Sequence, residues 1–195
     1  MKIRYVELDG TPEELDQSKL AQELLRLAAI THHSQSEPVP AGNDSTTDTW
    51  SWTLGNPIPG VAEEGQSATT ALLSRNEAAG YFVRFLSEAT GWENAAVFGV
   101  KRKSAQAGDP LDYSDYLRLR KVGSHLGGFA YVYADTGRVN LRLNYDNSPA
   151  ALQALAPAAF VVHTGHRAYR VSIDIADEDT LQQAVQLAKI AYDLT

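Results

Sequence analysis

The sequence predicts an α+β fold in which an antiparallel β-meander is packed on one face by N-terminal, middle and C-terminal helices. Leucine alternates with arginine over residues 116–121, aromatic with small side chains over 129–134, and polar with apolar side chains over 138–144. This period of two is typical of strands with one buried and one open face. On either side of this meander, apolar residues recur at helical spacing. The 195-residue length and the apolar fraction of 44% fit one ordinary globular domain.

The first 31 residues are predicted to form a strand and a helix. A short strand over residues 2–8 ends at an Asp-Gly turn. Residues 11–14, Thr-Pro-Glu-Glu, suit a helix start, because threonine can cap, proline fits the first position and the second glutamate completes a capping box. We expect this helix to continue to about residue 31, with its apolar stripe against the body of the protein.

Residues 32–67 are rich in Ser, Thr, Asn, Pro and Gly, and we expect a long polar loop or linker. Within it, Trp50, Trp52 and Leu54 would share one face of an extended segment. The two tryptophans either anchor the loop to the core or form a stacking platform for a base or a sugar. The remaining residues, 68–195, are predicted to be the α+β core of what is one structural domain overall.

The elements that flank the meander follow from the same patterns. Apolar residues at helical spacing predict one middle helix over residues 68–92, and a strand is expected at 95–101. After the meander we expect a short helix at 149–155, opened by Ser-Pro. The last strand, at 167–175, has its odd-numbered residues from Tyr169 onwards facing the core, and the acidic residues 177–179 begin the C-terminal helix.

The turn between the last two strands of the meander sets their register. Residues 135–137, Asp-Thr-Gly, resemble a three-residue hairpin loop with glycine in the left-handed position. This loop pairs Ala134 with Arg138 and places Tyr131 and Tyr133 with aliphatic partners on the core side. We prefer this register, because a slip by one residue leaves one apolar set unburied.

A two-residue Thr-Gly loop is the alternative. It would shift the register by one and place the two tyrosines opposite Asn140 and Arg142. Aromatic rings and arginines on one sheet face are the arrangement that stacks nucleic-acid bases. The register therefore decides whether the polar face could hold phosphates alone or could also stack bases.

The formal charge of −7 is unevenly distributed, since residues 91–170 hold 10 Lys and Arg against 6 Asp and Glu. Arginines occupy the polar positions of the predicted strands, namely Arg118, Arg120, Arg138, Arg142 and Arg170. The run Lys101, Arg102 and Lys103 would extend such a patch. Arginine forks bind phosphates and carboxylates in bidentate geometry, although these residues could equally form a solvated face paired with helix carboxylates.

These patterns favour a non-enzymatic module that binds an anionic partner, preferably nucleic acid. A protein–protein interaction or homodimerisation module, using the tryptophan pair and the helix stripes, is the first alternative. The second is a small histidine-dependent hydrolase, for which His163 and His166 are weak acid–base candidates. These histidines lack a third ligand at a diagnostic spacing, so no metal or cofactor is expected.

Other classes of protein are disfavoured by composition. The chain contains no cysteine, which excludes disulfides and thiolate chemistry. It has no run of 18 or more apolar residues, and residues 1–10 lack the apolar segment of a signal peptide. We therefore expect a cytoplasmic protein with no membrane span.

Four features of residues 115–195 form a recognisable pattern: the strand Phe-Ala-Tyr-Val at 129–132, the strand Tyr-Arg-Val-Ser-Ile-Asp at 169–174, the acidic turn after it and the closing Ala-Tyr at 191–192. In this pattern the segment resembles an uncharacterised bacterial domain family labelled "predicted transport protein". Members of that family often accompany restriction-like or DNA-associated proteins and have no established catalytic residues. The resemblance implies a nucleic-acid-associated accessory domain, and it leaves the first 110 residues uncovered.

Overall fold

A computed structural model describes residues 52–102, 104–163 and 167–195. The helices in this part of the chain are α1 (Glu63–Leu73), α2 (Ala79–Thr90), α3 (Pro149–Leu155) and α4 (Glu178–Asp193). The strands are β1 (Ala95–Phe98), β2 (Leu117–Lys121), β3 (Gly128–Tyr133), β4 (Arg138–Leu141), β5 (Phe160–Val161) and β6 (Val171–Asp174).

The six strands form one antiparallel sheet in the order β1-β2-β3-β4-β6-β5. Strands β1 to β4 follow one another as a meander, and β6 then pairs with β4 while the two-residue β5 lies at the edge. Helix α4 contacts β3, β4 and β6, and α2 contacts β1 and α4. The predicted α+β class with an antiparallel sheet is confirmed.

The core lies between the helices and one face of the sheet. The alternate positions of the strands that point to it are fully buried, among them Leu117, Leu119, Val132, Val139 and Ile173. Full burial of such a side chain contributes about 1.5–3 kcal/mol. The helices supply the facing layer through Phe82, Val83, Phe85 and Leu86 of α2 and through Leu181, Ala184, Leu187 and Ala188 of α4.

An aromatic triad closes one end of this core. The ring centres of Trp92 and Phe129 lie 5.9 Å apart, and Tyr192 lies 5.3 Å from Trp92 and 5.5 Å from Phe129. The hydroxyl of Tyr192 donates a hydrogen bond to the carbonyl oxygen of Glu93 at 2.5 Å. This triad joins α4 to β3 and to the segment before β1.

The start of α4 is fixed by its own sequence. The Asp177 side chain accepts a hydrogen bond from the backbone N–H of Thr180 at 2.8 Å, and the Thr180 hydroxyl oxygen accepts one from the Asp177 N–H at 3.0 Å. This reciprocal capping box satisfies N–H groups that the first turn of a helix leaves unpaired. The acidic start predicted for this helix is confirmed.

The prediction of one middle helix over residues 68–92 is wrong, because α1 and α2 are separate helices. Asn76 lies in the break, where its side-chain oxygen accepts a hydrogen bond from the Ala78 N–H at 2.9 Å. Its amide nitrogen donates to the Ala134 carbonyl oxygen at 3.0 Å. An asparagine that bonds to nearby backbone competes with the helix, and α1 in turn begins at Glu63, inside the predicted loop.

Residues 1–51, which include the predicted N-terminal strand and helix, lie outside the described residues, as do Lys103 and residues 164–166. The described residues belong to one compact unit, Asp48–Thr195. No helix in this described part is both long enough and apolar enough to cross a membrane.

Candidate functional site

The hairpin between β3 and β4 has a register that differs from both predicted ones. Tyr133 pairs with Arg138, Tyr131 with Asn140 and Val132 with Val139, so the predicted pairing of Ala134 with Arg138 is wrong. Four residues, from Ala134 to Gly137, separate the paired positions. The aliphatic partners therefore meet on the core face, and the tyrosines meet polar partners on the other face.

Contacts from outside the hairpin fix this turn. Asn76 binds the carbonyl of Ala134, which is fully buried, and the Ile175 N–H donates to the Gly137 carbonyl at 3.0 Å. Gly137 has a φ of +72°, and a β-carbon there would lie 2.7 Å from the Ile175 carbonyl oxygen. The turn is thus shaped by its contacts with the α1–α2 break and with the end of β6.

Four tyrosines lie together on the face of the sheet opposite the core. We call Tyr116, Tyr131, Tyr133 and Tyr169 the tyrosine cluster. The Tyr116 ring centre lies 5.2 Å from that of Tyr131 and 5.5 Å from that of Tyr133. Aromatic pairs at these separations stabilise one another beyond the area they bury.

Tyr169 lies on this face, although the alternation of its strand predicts that it faces the core. Its ring centre lies 4.1 Å from that of Tyr131, and its hydroxyl donates a hydrogen bond to the Gly128 carbonyl oxygen at 2.8 Å. The prediction that Tyr169 faces the core together with Val171 is therefore wrong. The residue precedes the first paired residue of β6, so the alternation of that strand does not govern it.

A β-bulge in β3 places a glycine next to the Tyr169 hydroxyl. Leu119 pairs with Ala130, but Arg120 pairs with Gly128, which leaves Phe129 as the extra residue. Phe129 is fully buried in the core. Gly128 lies beneath the Tyr169 hydroxyl. A β-carbon at position 128 would lie only 2.9 Å from that hydroxyl oxygen.

The hydroxyls of Tyr131 and Tyr133 stay protonated at neutral pH. Burial, and then the neighbouring Tyr169, raise the pKa of Tyr131 above its usual value. Burial, and then Tyr116, raise the pKa of Tyr133. Both groups therefore present neutral hydroxyls that can donate or accept hydrogen bonds.

A concave pocket of about 610 Å³ opens beside the tyrosine cluster. It is lined by Tyr116, Tyr131, Tyr133, Asp135, Thr136, Arg138, Asn140, Val162, Tyr169 and Ser172. Asn140 and Ser172 are cross-strand partners, and the Ser172 hydroxyl donates to the Asn140 side-chain oxygen at 2.5 Å. The pocket thus has aromatic walls and an amide–hydroxyl pair on strands β4 and β6.

Three of the predicted arginines carry a charge that no described carboxylate neutralises. Arg118, Arg120 and Arg142 form no ion pair within the described part of the chain. Arg118 lies 5.8 Å from the ring centre of Tyr131, and its buried Nε atom has no hydrogen-bond acceptor among these residues. Arg120 lies 5.3 Å from the ring centre of Phe98.

Arg142 is oriented by the same carbonyl that holds Tyr169. Its Nε donates to the Gly128 oxygen at 2.9 Å, and its guanidinium lies 5.2 Å from the centre of the Tyr169 ring. Since Arg120 pairs with Gly128 from the other side, the two arginines flank this glycine. We call Arg118, Arg120 and Arg142 the free-arginine group.

The other two predicted arginines are paired. Arg138 binds Asp174 through two hydrogen bonds, Nε to Oδ1 at 2.7 Å and Nη2 to Oδ2 at 2.9 Å. Arg170 lies 3.7 Å from the carboxylate of Asp146 and donates to the Val162 carbonyl oxygen at 3.2 Å. Their charges are largely compensated within the fold.

The basic run after β1 is also partly neutralised. Arg102 pairs with Asp112, Nε to Oδ2 at 2.5 Å, and this hydrogen bond holds the pKa of the Asp112 carboxyl well below its usual range. Lys101 is exposed, and Lys103 lies outside the described residues. Arg102 therefore does not extend the free-arginine group.

The remaining candidates are separate from this face or undescribed. Trp52 is half-buried against the core, and Trp50 lies outside the described residues, so the stacking role of the pair stays a prediction. The His163 side chain is 79% exposed, with Nδ1 4.0 Å from Asp146 Oδ1, and His166 is not described. Among residues 52–102, 104–163 and 167–195, no cluster of three His, Asp or Glu could hold a metal ion.

The chain matches no protein-family model, no curated protein and no solved structure. The resemblance of residues 115–195 to the bacterial domain family stays a prediction.

Proposed function

We propose that the protein is a non-enzymatic module that binds nucleic acid through the polar face of its sheet. The free-arginine group carries this proposal, because its three guanidinium groups have no carboxylate partner among the described residues. Two of them, Arg118 and Arg142, also contact rings of the tyrosine cluster. On the neighbouring strands β4 and β6, by contrast, Arg138 is neutralised by two hydrogen bonds to Asp174. The resemblance of residues 115–195 implies the same class of partner.

Phosphate binding suits this arrangement of charge. Guanidinium groups donate paired hydrogen bonds to phosphate oxygens, and such contacts are stronger than those between neutral groups. Arg118 and Arg120 project from alternate positions of β2, and Arg142 lies two strands away across Gly128. Successive phosphates of one backbone could therefore meet different members of the group.

The acidic remainder of the chain makes binding depend on local contacts and on salt concentration. The whole protein has a formal charge of −7, so long-range attraction to a polyanion is weak and local contacts must supply the affinity. Each phosphate contact to a single strand lowers the slope of log affinity against log salt by roughly 0.7. Affinity should therefore fall as salt rises.

Fluorescence anisotropy with labelled DNA and RNA oligonucleotides over about 50–200 mM salt tests the proposal. We expect Arg118→Glu and Arg120→Glu each to weaken binding. Arg75→Glu makes the same charge change at an exposed residue of the α1–α2 connection, outside the strands, and should have little effect. Absence of salt-dependent binding, or equal loss in all three variants, would overturn the proposal.

Homodimerisation is a second candidate, supported by an apolar surface at one end of the sheet. The turn between β2 and β3 exposes Val122 and Leu126, and the end of the chain exposes Leu194. The Ser124 hydroxyl donates to the Thr195 carbonyl oxygen at 2.6 Å, which holds the two segments together. Light scattering tests it: a dimer mass that Val122→Lys reduces to a monomer mass supports this candidate, and a monomer mass for the unaltered chain contradicts it.

A further inference from the structure

We propose that the pocket beside the tyrosine cluster holds one unpaired base, so that the sheet face selects single-stranded nucleic acid over duplex. This inference rests on the proposed function and specifies its ligand. The pocket volume, about 610 Å³, falls within the range of about 300–1,000 Å³ that accommodates small molecules. An isolated nucleobase with part of its sugar is a ligand of that scale.

The distribution of charge separates the pocket from the phosphate contacts. Within the pocket wall, Arg138 is neutralised by its two hydrogen bonds to Asp174, and Asp135 adds a negative charge. A phosphate would meet no uncompensated cation there. A neutral base needs no cation and can enter this pocket. The phosphates on either side of the base would then bind the free-arginine group beside the pocket.

Tyr133 is the ring best placed to stack on a base. The Tyr131 ring already packs against Tyr169 in a tilted arrangement at 4.1 Å and forms an edge-to-face contact with Tyr116 at 5.2 Å. Tyr133 has one aromatic neighbour in the described part of the chain, Tyr116 at 5.5 Å, and is half-exposed. Tyr131 and Tyr169 thus support the wall, and Tyr133 offers a face to the ligand.

Asn140 and Ser172 could bind the polar edge of the base. The Asn140 side-chain oxygen accepts from the Ser172 hydroxyl, and the amide also contacts the Tyr133 hydroxyl. An asparagine amide has two N–H donors, so one remains for a ligand, together with the lone pairs of the serine oxygen. In a duplex these base edges are paired and the base faces are stacked, whereas an unpaired base exposes both.

The experiment compares single-stranded and duplex oligonucleotides of one sequence, by anisotropy at fixed salt. Tyr133→Leu removes the ring and keeps an apolar side chain, and we expect its affinity for the single strand to fall about tenfold, with duplex affinity and salt slope unchanged. Tyr133→Phe keeps the ring and should retain the single-strand preference. Thermal unfolding followed by circular dichroism verifies that both variants are folded.

The outcomes separate the two proposals. If Arg118→Glu weakens binding but Tyr133→Leu leaves the ratio of single-strand to duplex affinity unchanged, the base pocket is refuted and the nucleic-acid module stands. If the unaltered protein binds neither oligonucleotide, both proposals fail. If Tyr133→Phe loses affinity as far as Tyr133→Leu does, stacking is not the source of the preference, and the pocket proposal is overturned.

Discussion

The hydroxyl of Tyr169 and the carbonyl oxygen of Gly128 form a buried hydrogen bond of 2.8 Å between residues 41 positions apart. The same oxygen accepts from Arg142 at 2.9 Å. One backbone carbonyl therefore positions both an aromatic ring of the tyrosine cluster and a guanidinium of the free-arginine group. Changes at Gly128 should affect the two together.

Gly128→Ala should destabilise the fold and weaken nucleic-acid binding. The added β-carbon would lie 2.9 Å from the Tyr169 hydroxyl, and this ring is held by Tyr131, so overpacking should cost about 1–3 kcal/mol. Urea unfolding measures the loss. Gly80→Ala is the matched control, since its β-carbon meets nothing within 4 Å in α2, and an equal loss there would contradict the explanation.

Gly137→Ala should cost more stability than Gly128→Ala. Its φ of +72° disfavours any side chain, and the β-carbon would lie 2.7 Å from the backbone oxygen of Ile175, which cannot rotate away as a side chain can. The free energy of unfolding, measured again by urea unfolding, shows which of the two variants loses more stability. A smaller loss at Gly137 would show that the hairpin turn readily moves away from β6.

Asp174→Asn should strengthen nucleic-acid binding. The substitution removes the negative charge and one of the two acceptor oxygens that Arg138 uses, which leaves one uncompensated charge on the sheet face. Anisotropy over a salt series should show higher affinity and a slope steeper by roughly 0.7. Asp193→Asn makes the same charge change on α4, beside Lys189, and a gain as large as that of Asp174→Asn would argue against a local effect.

Asp177 should make the stability of the protein depend on pH in the acid range. Hydrogen bonds from Thr180 lower the pKa of its carboxyl. Its contribution is therefore complete above the ordinary Asp value of about 3.9 and is lost as the pH falls through the lower folded value.

The test compares Tm across this pH range for two variants. Asp177→Asn keeps a side-chain oxygen at the cap but cannot titrate, so the advantage of the unaltered protein over it should shrink as the medium is acidified. Asp177→Ala loses the cap as well and should be the least stable form at neutral pH. A constant difference between the unaltered protein and Asp177→Asn at every pH would contradict the assignment.

Local patterns predict most of the described elements. Period-two alternation identifies β2, β3 and β4, and the Ser-Pro start predicts α3 at the observed bounds, Pro149–Leu155. The alternation Tyr116-Leu-Arg118-Leu-Arg120 also carried a signal for the mixed face, because a tyrosine is in phase with two arginines. The other tyrosines can be assigned to that face only once the register of the β3–β4 hairpin is known.

The register depends on distant contacts that local sequence does not encode. Asn76 binds Ala134 across 58 positions, and this contact helps to fix a four-residue turn where Asp-Thr-Gly favours a shorter one. Tyr169 is a similar case, because its direction is set by the bulge at Phe129 and by the room above Gly128. The polar positions of the predicted strands identify the arginines, but which of them lack a carboxylate partner among the described residues depends on the fold.

The aromatic triad on the core side gives the site an optical reporter. Trp92 touches Phe129, the bulged residue, and Phe129 follows the glycine whose carbonyl holds Tyr169 and Arg142. A ligand on the polar face that displaced β3 would therefore move a ring that contacts the indole. The chain has three tryptophans, so a Trp50→Phe/Trp52→Phe variant would isolate the emission of Trp92 as a reporter of such a displacement.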